Sequence, residues 1–135
     1  MAGLDRLFGW TDPFPLTVKA IALIVILLGY LLGSWALIEN RFFSGVVRIQ
    51  KERGHRVVST GPYRFIRHPG YAGALWSYLA TPVLLDSIWA LIPALLLAGI
   101  LILRTALEDR TLQEELPGYR EYARRTRFRL IPGVW

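Results

Sequence analysis

Ala20-Ile21-Ala22-Leu23-Ile24-Val25-Ile26-Leu27-Leu28-Gly29-Tyr30-Leu31-Leu32-Gly33-Ser34-Trp35-Ala36-Leu37-Ile38 is a run of 19 residues without a charge. Wound as an α-helix at about 1.5 Å per residue, it nearly matches the ~30 Å hydrocarbon core of a bilayer. This run decides the fold class: an all-α integral membrane protein. Further along, residues 70–85 and 88–103 are two uncharged stretches of 16 residues each, separated only by Asp86-Ser87. Each is short for an independent span, and together they read as a helical hairpin, which brings the expected number of transmembrane helices to three. The whole chain agrees, with 53% hydrophobic residues and a mean hydropathy of +0.37, above the usual soluble range. A secretory signal is not expected, because the first run exceeds a typical apolar signal core of about 7–15 residues and no small-residue cleavage site follows.

The 135 residues suggest one domain. It divides into an interfacial segment (1–15), the first span (16–38), a connector (39–69), the hairpin (70–103) and a C-terminal segment (104–135). Phe8 and Trp10 ahead of Pro13 and Pro15 suit an anchor at the membrane surface. Helix can continue from Glu39 to Lys51, whereas Arg53-Gly54-His55 and Thr60-Gly61-Pro62 break regular structure. Pro69 stands where a helix can begin. Pro82 and Pro93 fall inside the two hairpin segments and are expected to kink them. The third apolar segment runs without a breaker through Arg104 to Leu116, until Pro117-Gly118 ends it.

Charge sets the orientation. Of the 16 basic residues, 14 lie in the connector and the C-terminal segment, leaving Arg6 and Lys19 near the N-terminus. If the hairpin crosses twice, both basic segments share one side, and the positive-inside rule makes that side cytoplasmic and the N-terminus external. The expected location is a multi-pass protein of the cytoplasmic (inner) membrane. The basic tail from Arg120 to Arg129 is suited to anionic lipid head groups. Nucleic acid is not an expected partner, because the charge lies against apolar spans with no recognisable binding module. No cysteine is present, which excludes disulfides, thiolate zinc sites and a cysteine nucleophile, and the two histidines, His55 and His68, give a metal centre little support.

Chemistry-bearing side chains gather at two membrane-proximal places. One is Gly61-Pro62-Tyr63-Arg64-Phe65-Ile66-Arg67-His68-Pro69-Gly70-Tyr71; the other is Arg104-Thr105-Ala106-Leu107-Glu108-Asp109. Ionisable groups are costly beside an apolar span, so such a cluster is a functional-site candidate. Arg104 and Glu108 are four apart and share a helix face; taken alone they would make a salt bridge worth about 0.2–0.5 kcal/mol. Glu114 and Glu115 read as a solvated face.

These two elements resemble the isoprenylcysteine carboxyl methyltransferase family, which carries Arg-His-Pro-x-Tyr before a hairpin and Arg-x-x-x-Glu-Glu-x-x-Leu after it. Here they read Arg67-His68-Pro69-Gly70-Tyr71 and Arg104 to Leu112, with Gly61-Pro62-Tyr63, Tyr119, Tyr122 and Leu130-Ile131-Pro132 also matching. Asp109 stands where the family usually has a second Glu, one methylene shorter, which makes Glu108 the more direct functional assignment. Family members usually carry further spans upstream, so this chain corresponds to a catalytic core with one preceding span.

The resemblance implies an S-adenosylmethionine-dependent methyltransferase with a cytoplasmic cofactor pocket formed by the connector and the C-terminal segment. Its catalytic residues would be Arg104 and Glu108, and its cofactor-binding residues Tyr63, Arg64, Arg67, His68, Pro69, Tyr71, Glu108, Asp109, Tyr119 and Tyr122. In that reading Arg64, Arg67 and His68 hold the cofactor's carboxylate, Glu108 accepts from the ribose hydroxyls or pairs with Arg104, and the tyrosines offer ring faces to adenine or the sulfonium; Arg104 would orient a carboxylate acceptor, and Glu108 would be the base for an amine or thiol. No metal is called for. Two apolar helices beside the site imply a lipophilic, membrane-embedded small acceptor bearing a carboxylate, thiol or amine. Two other readings stand beside this one: a membrane reductase related to sterol reductases that uses NADPH, and a non-enzymatic membrane scaffold.

Overall fold

The computed structural model describes residues 1–43, 49, 52 and 54–135. The described residues are helical with no strand: α1 (Ala2–Phe8), α2 (Leu16–Glu39), a 3-10 turn (Gly61–Arg64), α3 (Pro69–Leu84), α4 (Leu91–Glu115) and α5 (Tyr119–Arg125). The first apolar run becomes α2, and the next two become α3 and α4 joined through a tight turn.

The packing inverts that of a soluble bundle. On α2 the buried residues are Ala22, Gly29 and Ala36, spaced by seven, while Ile24 and Leu31 are more than half exposed. Small residues thus face the neighbouring helix and large apolar ones face outward, the distribution that a hydrocarbon surround favours. Gly29 and Gly73 set the distance between α2 and α3. A Cβ built on Gly73 would stand 2.2 Å from the Gly29 carbonyl oxygen, and one on Gly29 would stand 2.5 Å from that of Gly73, so only hydrogen fits at this crossing. On α4 the inward face is Ala94, Ala98, Leu101, Thr105 and Asp109, one residue per turn.

Among the described residues two helices are long and apolar enough to cross a membrane, α2 with 24 residues and α4 with 25. The central helix α3 has 16 residues, about 24 Å at the helical rise, short of the ~30 Å core.

Two local expectations change. The helix expected to run from Glu39 to Lys51 stops at Glu39, because Asn40 is extended and its Oδ1 accepts the Phe42 N–H at 3.0 Å, a side-chain turn that competes with helix. The rest of that stretch, residues 44–48, 50 and 51, and with it Arg48 and Lys51, lies outside the described residues, as does Arg53. Pro93 is the third residue of α4 and not an interior kink, since α4 begins at Leu91 and a first-turn position has no helical amide bond to lose. Pro82 does lie inside α3, within its last turn.

At the end remote from the motifs, the N-terminal segment folds onto the α3–α4 turn. Asp86, at φ 53, accepts the Phe14 N–H at 2.8 Å and Lys19 Nζ at 3.0 Å. Asp5, 1% exposed, accepts the hydroxyls of Thr11 and Ser87. Trp10 stacks on Phe8 and meets Trp89 edge-on, which places an aromatic belt at this end.

Candidate functional site

The Gly61–Tyr71 stretch is shaped by its own backbone. Gly61 adopts φ 54, and a Cβ there would lie 2.8 Å from Glu39 Oε2, so this corner at the end of α2 requires glycine. Pro62 opens the 3-10 turn and Pro69 opens α3, each where the missing N–H costs nothing. Between them the N–H groups of Arg67 and His68 donate to the carbonyls of Phe128 and Arg129, both at 2.9 Å, which ties the C-terminal tail along the entrance to α3.

Asp109 is the electrostatic centre of this end, and its carboxylate is fully buried. Arg67 reaches it with Nε at 2.7 Å and Nη2 at 2.9 Å, a bidentate fork. Arg129 Nε (2.9 Å), Gln113 Nε2 (2.8 Å) and the Tyr119 hydroxyl (3.1 Å) also donate to it, and His68 Nε2 lies 3.3 Å away. The other Arg67 nitrogen, Nη1, donates to the Thr126 and Arg127 carbonyls at 2.8 Å each and to that of Ala123 at 3.4 Å. A charge this deep is tolerable only because every lone pair is answered.

Beside this hub a cavity opens, lined by Tyr63, Arg67, His68, Tyr71, Glu108, Tyr119 and Tyr122. Seven of the sequence-predicted residues therefore share one space. Pro69 lies beneath it in the core, and Asp109 behind it in the hub. Arg104 adjoins through Tyr71: its Nε donates to the Tyr71 hydroxyl at 2.9 Å, and that hydroxyl donates to Glu108 Oε2 at 2.7 Å. The phenol thus bridges the arginine and the carboxylate expected to work as a pair. The His68 and Tyr71 rings lie nearly parallel, 5.9 Å apart. Arg64 is not brought to this space; it is exposed and lines a separate groove.

The tyrosines at the site act as donors. Tyr63 hydrogen-bonds the Ala36 carbonyl at 3.3 Å, and Tyr122 that of Tyr63 at 2.7 Å. Burial pushes the Tyr63 phenol up to about 12, with the carboxylates of Glu108 and Glu39 adding to the shift. Tyr119 is raised further, first by burial and then by the Asp109 charge. Neither can serve as a base near neutral pH.

The sequence reading missed the far wall, formed by Asn40, Phe43, His55, Arg56, Val57 and Leu112. Phe43 packs where a Gly70 Cβ would be, 2.7 Å from its ring, and lies 6.0 Å from the Tyr71 ring. The available signals were the aromatic pair Phe42-Phe43 directly after a span and the apolar Val57-Val58 inside a basic connector. Arg129 and Gln113, partners of Asp109, carried no local signal at all.

A sequence model of the isoprenylcysteine carboxyl methyltransferase (ICMT) family matches residues 20–114. Protein-S-isoprenylcysteine O-methyltransferase B of Arabidopsis thaliana is 32% identical over 119 residues, covering 86% of this chain and 57% of the relative. A probable protein-S-isoprenylcysteine O-methyltransferase of Oryza sativa subsp. indica is 35% identical over 69 residues, 50% of this chain and 36% of the relative. Among solved structures, the eukaryotic intramembrane Ras methyltransferase ICMT superposes with a TM-score of 0.75 at 25% identity, covering 87% of this chain and 43% of that one. The chain thus spans from about a third to just over half the length of these relatives.

Proposed function

We propose, because this chain belongs to the isoprenylcysteine carboxyl methyltransferase family, that it is an integral-membrane methyltransferase using S-adenosylmethionine. The acceptor would be a lipophilic carboxylate of the S-isoprenylcysteine type, entering from the bilayer. The relatives' names as O-methyltransferases favour a carboxylate over a thiol or amine. Three crossings, an external N-terminus and a cytoplasmic site complete the reading, supported by the 14 of 16 basic residues that fall in the connector and the C-terminal segment.

The donor set suits this cofactor. A carboxylate (Glu108) can accept from ribose hydroxyls, the aromatic faces of His68 and Tyr71 and the apolar Val57 and Leu112 can wall a purine, and Arg56 is an exposed cation for an amino-acid carboxylate. Arg67 is less suited to that last task than its motif position implies, since all three of its nitrogens are engaged in the hub. When bound, the cofactor supplies a sulfonium-activated methyl group; as the acceptor oxygen gains it, the carbon–sulfur bond breaks, leaving a neutral ester and a thioether. A carboxylate acceptor is already ionised at neutral pH, so no base is needed. The protein's work is positioning. Arg104 holds the acceptor from the middle of α4, Tyr71 fixes the Arg104 side chain against Glu108, and the buried phenols exclude water.

The observation that carries this reading is the Tyr71 hydroxyl bridging Arg104 and Glu108 at the rim of a cavity that sits at the end of outward-apolar helices. The test is thermal unfolding in detergent with S-adenosylmethionine or its demethylated product, alongside methyl transfer to an S-farnesylated cysteine with a free or an amidated carboxyl. Stabilisation by both cofactor forms and transfer to the free acid only is the expected result. Stabilisation by NADPH alone would favour the reductase reading, and no stabilisation by any of the three the scaffold.

A further inference from the structure

A second concave surface lies at the same end of the molecule and shares no residue with the cavity. It is lined by Arg64 and Phe65 from the connector and by Arg125, Arg127, Phe128 and Pro132 from the tail. The three arginines are exposed, and so is Phe65, at 65%. Arg125 pairs with Glu121 on its own helix, whereas Arg64 and Arg127 have no carboxylate partner among the described residues. None of these side chains serves the Asp109 hub.

The position in the fold points to the ligand. Two residues beyond Phe65, the chain bonds to the tail, and four beyond it enters α3 at Pro69. Leu130, 1% exposed, packs with Leu75 and Leu101 of the apolar helices. The groove therefore lies where the helices leave the hydrocarbon, with guanidinium groups beside an unburied aromatic ring and with Ile131 and Val134 also exposed nearby. Guanidinium forks match phosphate oxygens, and a phenyl ring at this depth matches the first carbons of an acyl chain.

We infer that this groove docks an anionic glycerophospholipid, its phosphate held by Arg64 and Arg127 with Arg125 beside them and its glycerol and upper chains against Phe65. A free anion would use the arginines and leave Phe65 idle; a zwitterionic lipid would place its own cation among three others.

Native mass spectrometry of the full chain released from mixed phosphatidylglycerol–phosphatidylcholine micelles measures this directly. The expected result is selective retention of phosphatidylglycerol, reduced about thirtyfold in Arg64→Gln/Arg127→Gln, as follows from two arginines at the usual attraction of each to an anionic surface. Phe65→Ser should also lower retention, and Arg110→Gln/Arg120→Gln, which removes two exposed charges elsewhere, should leave it unchanged. Equal retention of both lipids, an equal loss in the Arg110/Arg120 variant, or displacement by glycerol phosphate together with no effect of Phe65→Ser would each overturn the inference, the last in favour of a free-anion site. All substituted side chains are exposed, so folding is preserved, and none lies in the methyl-transfer cavity.

Discussion

Replacing Asp109 with Asn removes one negative charge while keeping the outline of the side chain. Arg67, 7% exposed, then loses the charge and one of the two oxygens that Nε and Nη2 address, and keeps the amide oxygen and the carbonyl acceptors of Nη1. Removing one partner of a buried ion pair costs about 3–5 kcal/mol, because the other charge stays buried and unanswered. The retained carbonyl bonds and the amide oxygen place this case near 3 kcal/mol, while the Arg129 pair, whose arginine is 30% exposed, adds at most about 1 kcal/mol. The cost falls on the docking of the tail, because Arg67 is what binds the 123–127 carbonyls to α4. At 1.4 kcal/mol per factor of ten, the tail should open at least about a hundredfold more often. Hydrogen exchange followed by mass spectrometry on the detergent-solubilised protein reads this at Arg67 and His68, whose amides donate to the tail carbonyls of Phe128 and Arg129, with the α2 amides as an internal reference. Asp109→Glu, the longer carboxylate usual in the family, keeps the charge but must fit one more methylene into a site with no free surface, so it should fall between wild type and Asn. Exchange at Arg67 and His68 within threefold of wild type in Asp109→Asn would refute the hub as the element that holds the tail.

Tyr71→Phe deletes the hydroxyl between Arg104 and Glu108, and His68→Ala removes the ring stacked on it; each should weaken binding of the demethylated cofactor by about tenfold without unfolding the protein, measured by calorimetry, since a hydrogen bond to a charged group contributes about 1.5–3 kcal/mol. The Glu114→Gln/Glu115→Gln variant, altered outside the cavity, should bind normally in the same titration. Arg104→Lys should retain most cofactor affinity and lose turnover, because an ammonium cannot reproduce the planar fork; full turnover in a methyl-transfer assay would reduce Arg104 to an interface anchor. Gly73→Ala drives a methyl group into the Gly29 carbonyl and should cost about 1–3 kcal/mol as α2 and α3 separate, seen as a lower thermal midpoint.

Where the signal was local, the sequence disclosed the fold. The uncharged run at 20–38 became the body of α2, Pro69 became the first residue of α3, and Pro117-Gly118 marked the end of α4, with Gly118 at φ 81. The losses were of two kinds. Asn40 ended α2 through a hydrogen bond from a main-chain amide two residues away, a competition that helix propensity alone does not decide. Arg67 met Asp109 across 42 residues and the tail carbonyls across 56 to 60. Periodicity tells which face of a helix a residue occupies and says nothing about which distant segment will cover that face.

The two adjacent carboxylates show what a register can and cannot disclose. Successive helical residues point about 100° apart, so Glu108 and Asp109 cannot share a task that requires one direction. Asp109 continues the buried row of Leu101 and Thr105, four residues apart each time, and must face the interior. Glu108 continues from Arg104, on the flank where both side chains are half-buried and meet Tyr71. Reach alone already ranked Glu108 ahead of Asp109 by one methylene; the register supplies the stronger reason, since an inward carboxylate with both arginines upon it has no lone pair left for a ligand. Asp109 thus holds the wall of the cavity in place, and Glu108 is the carboxylate that lines it.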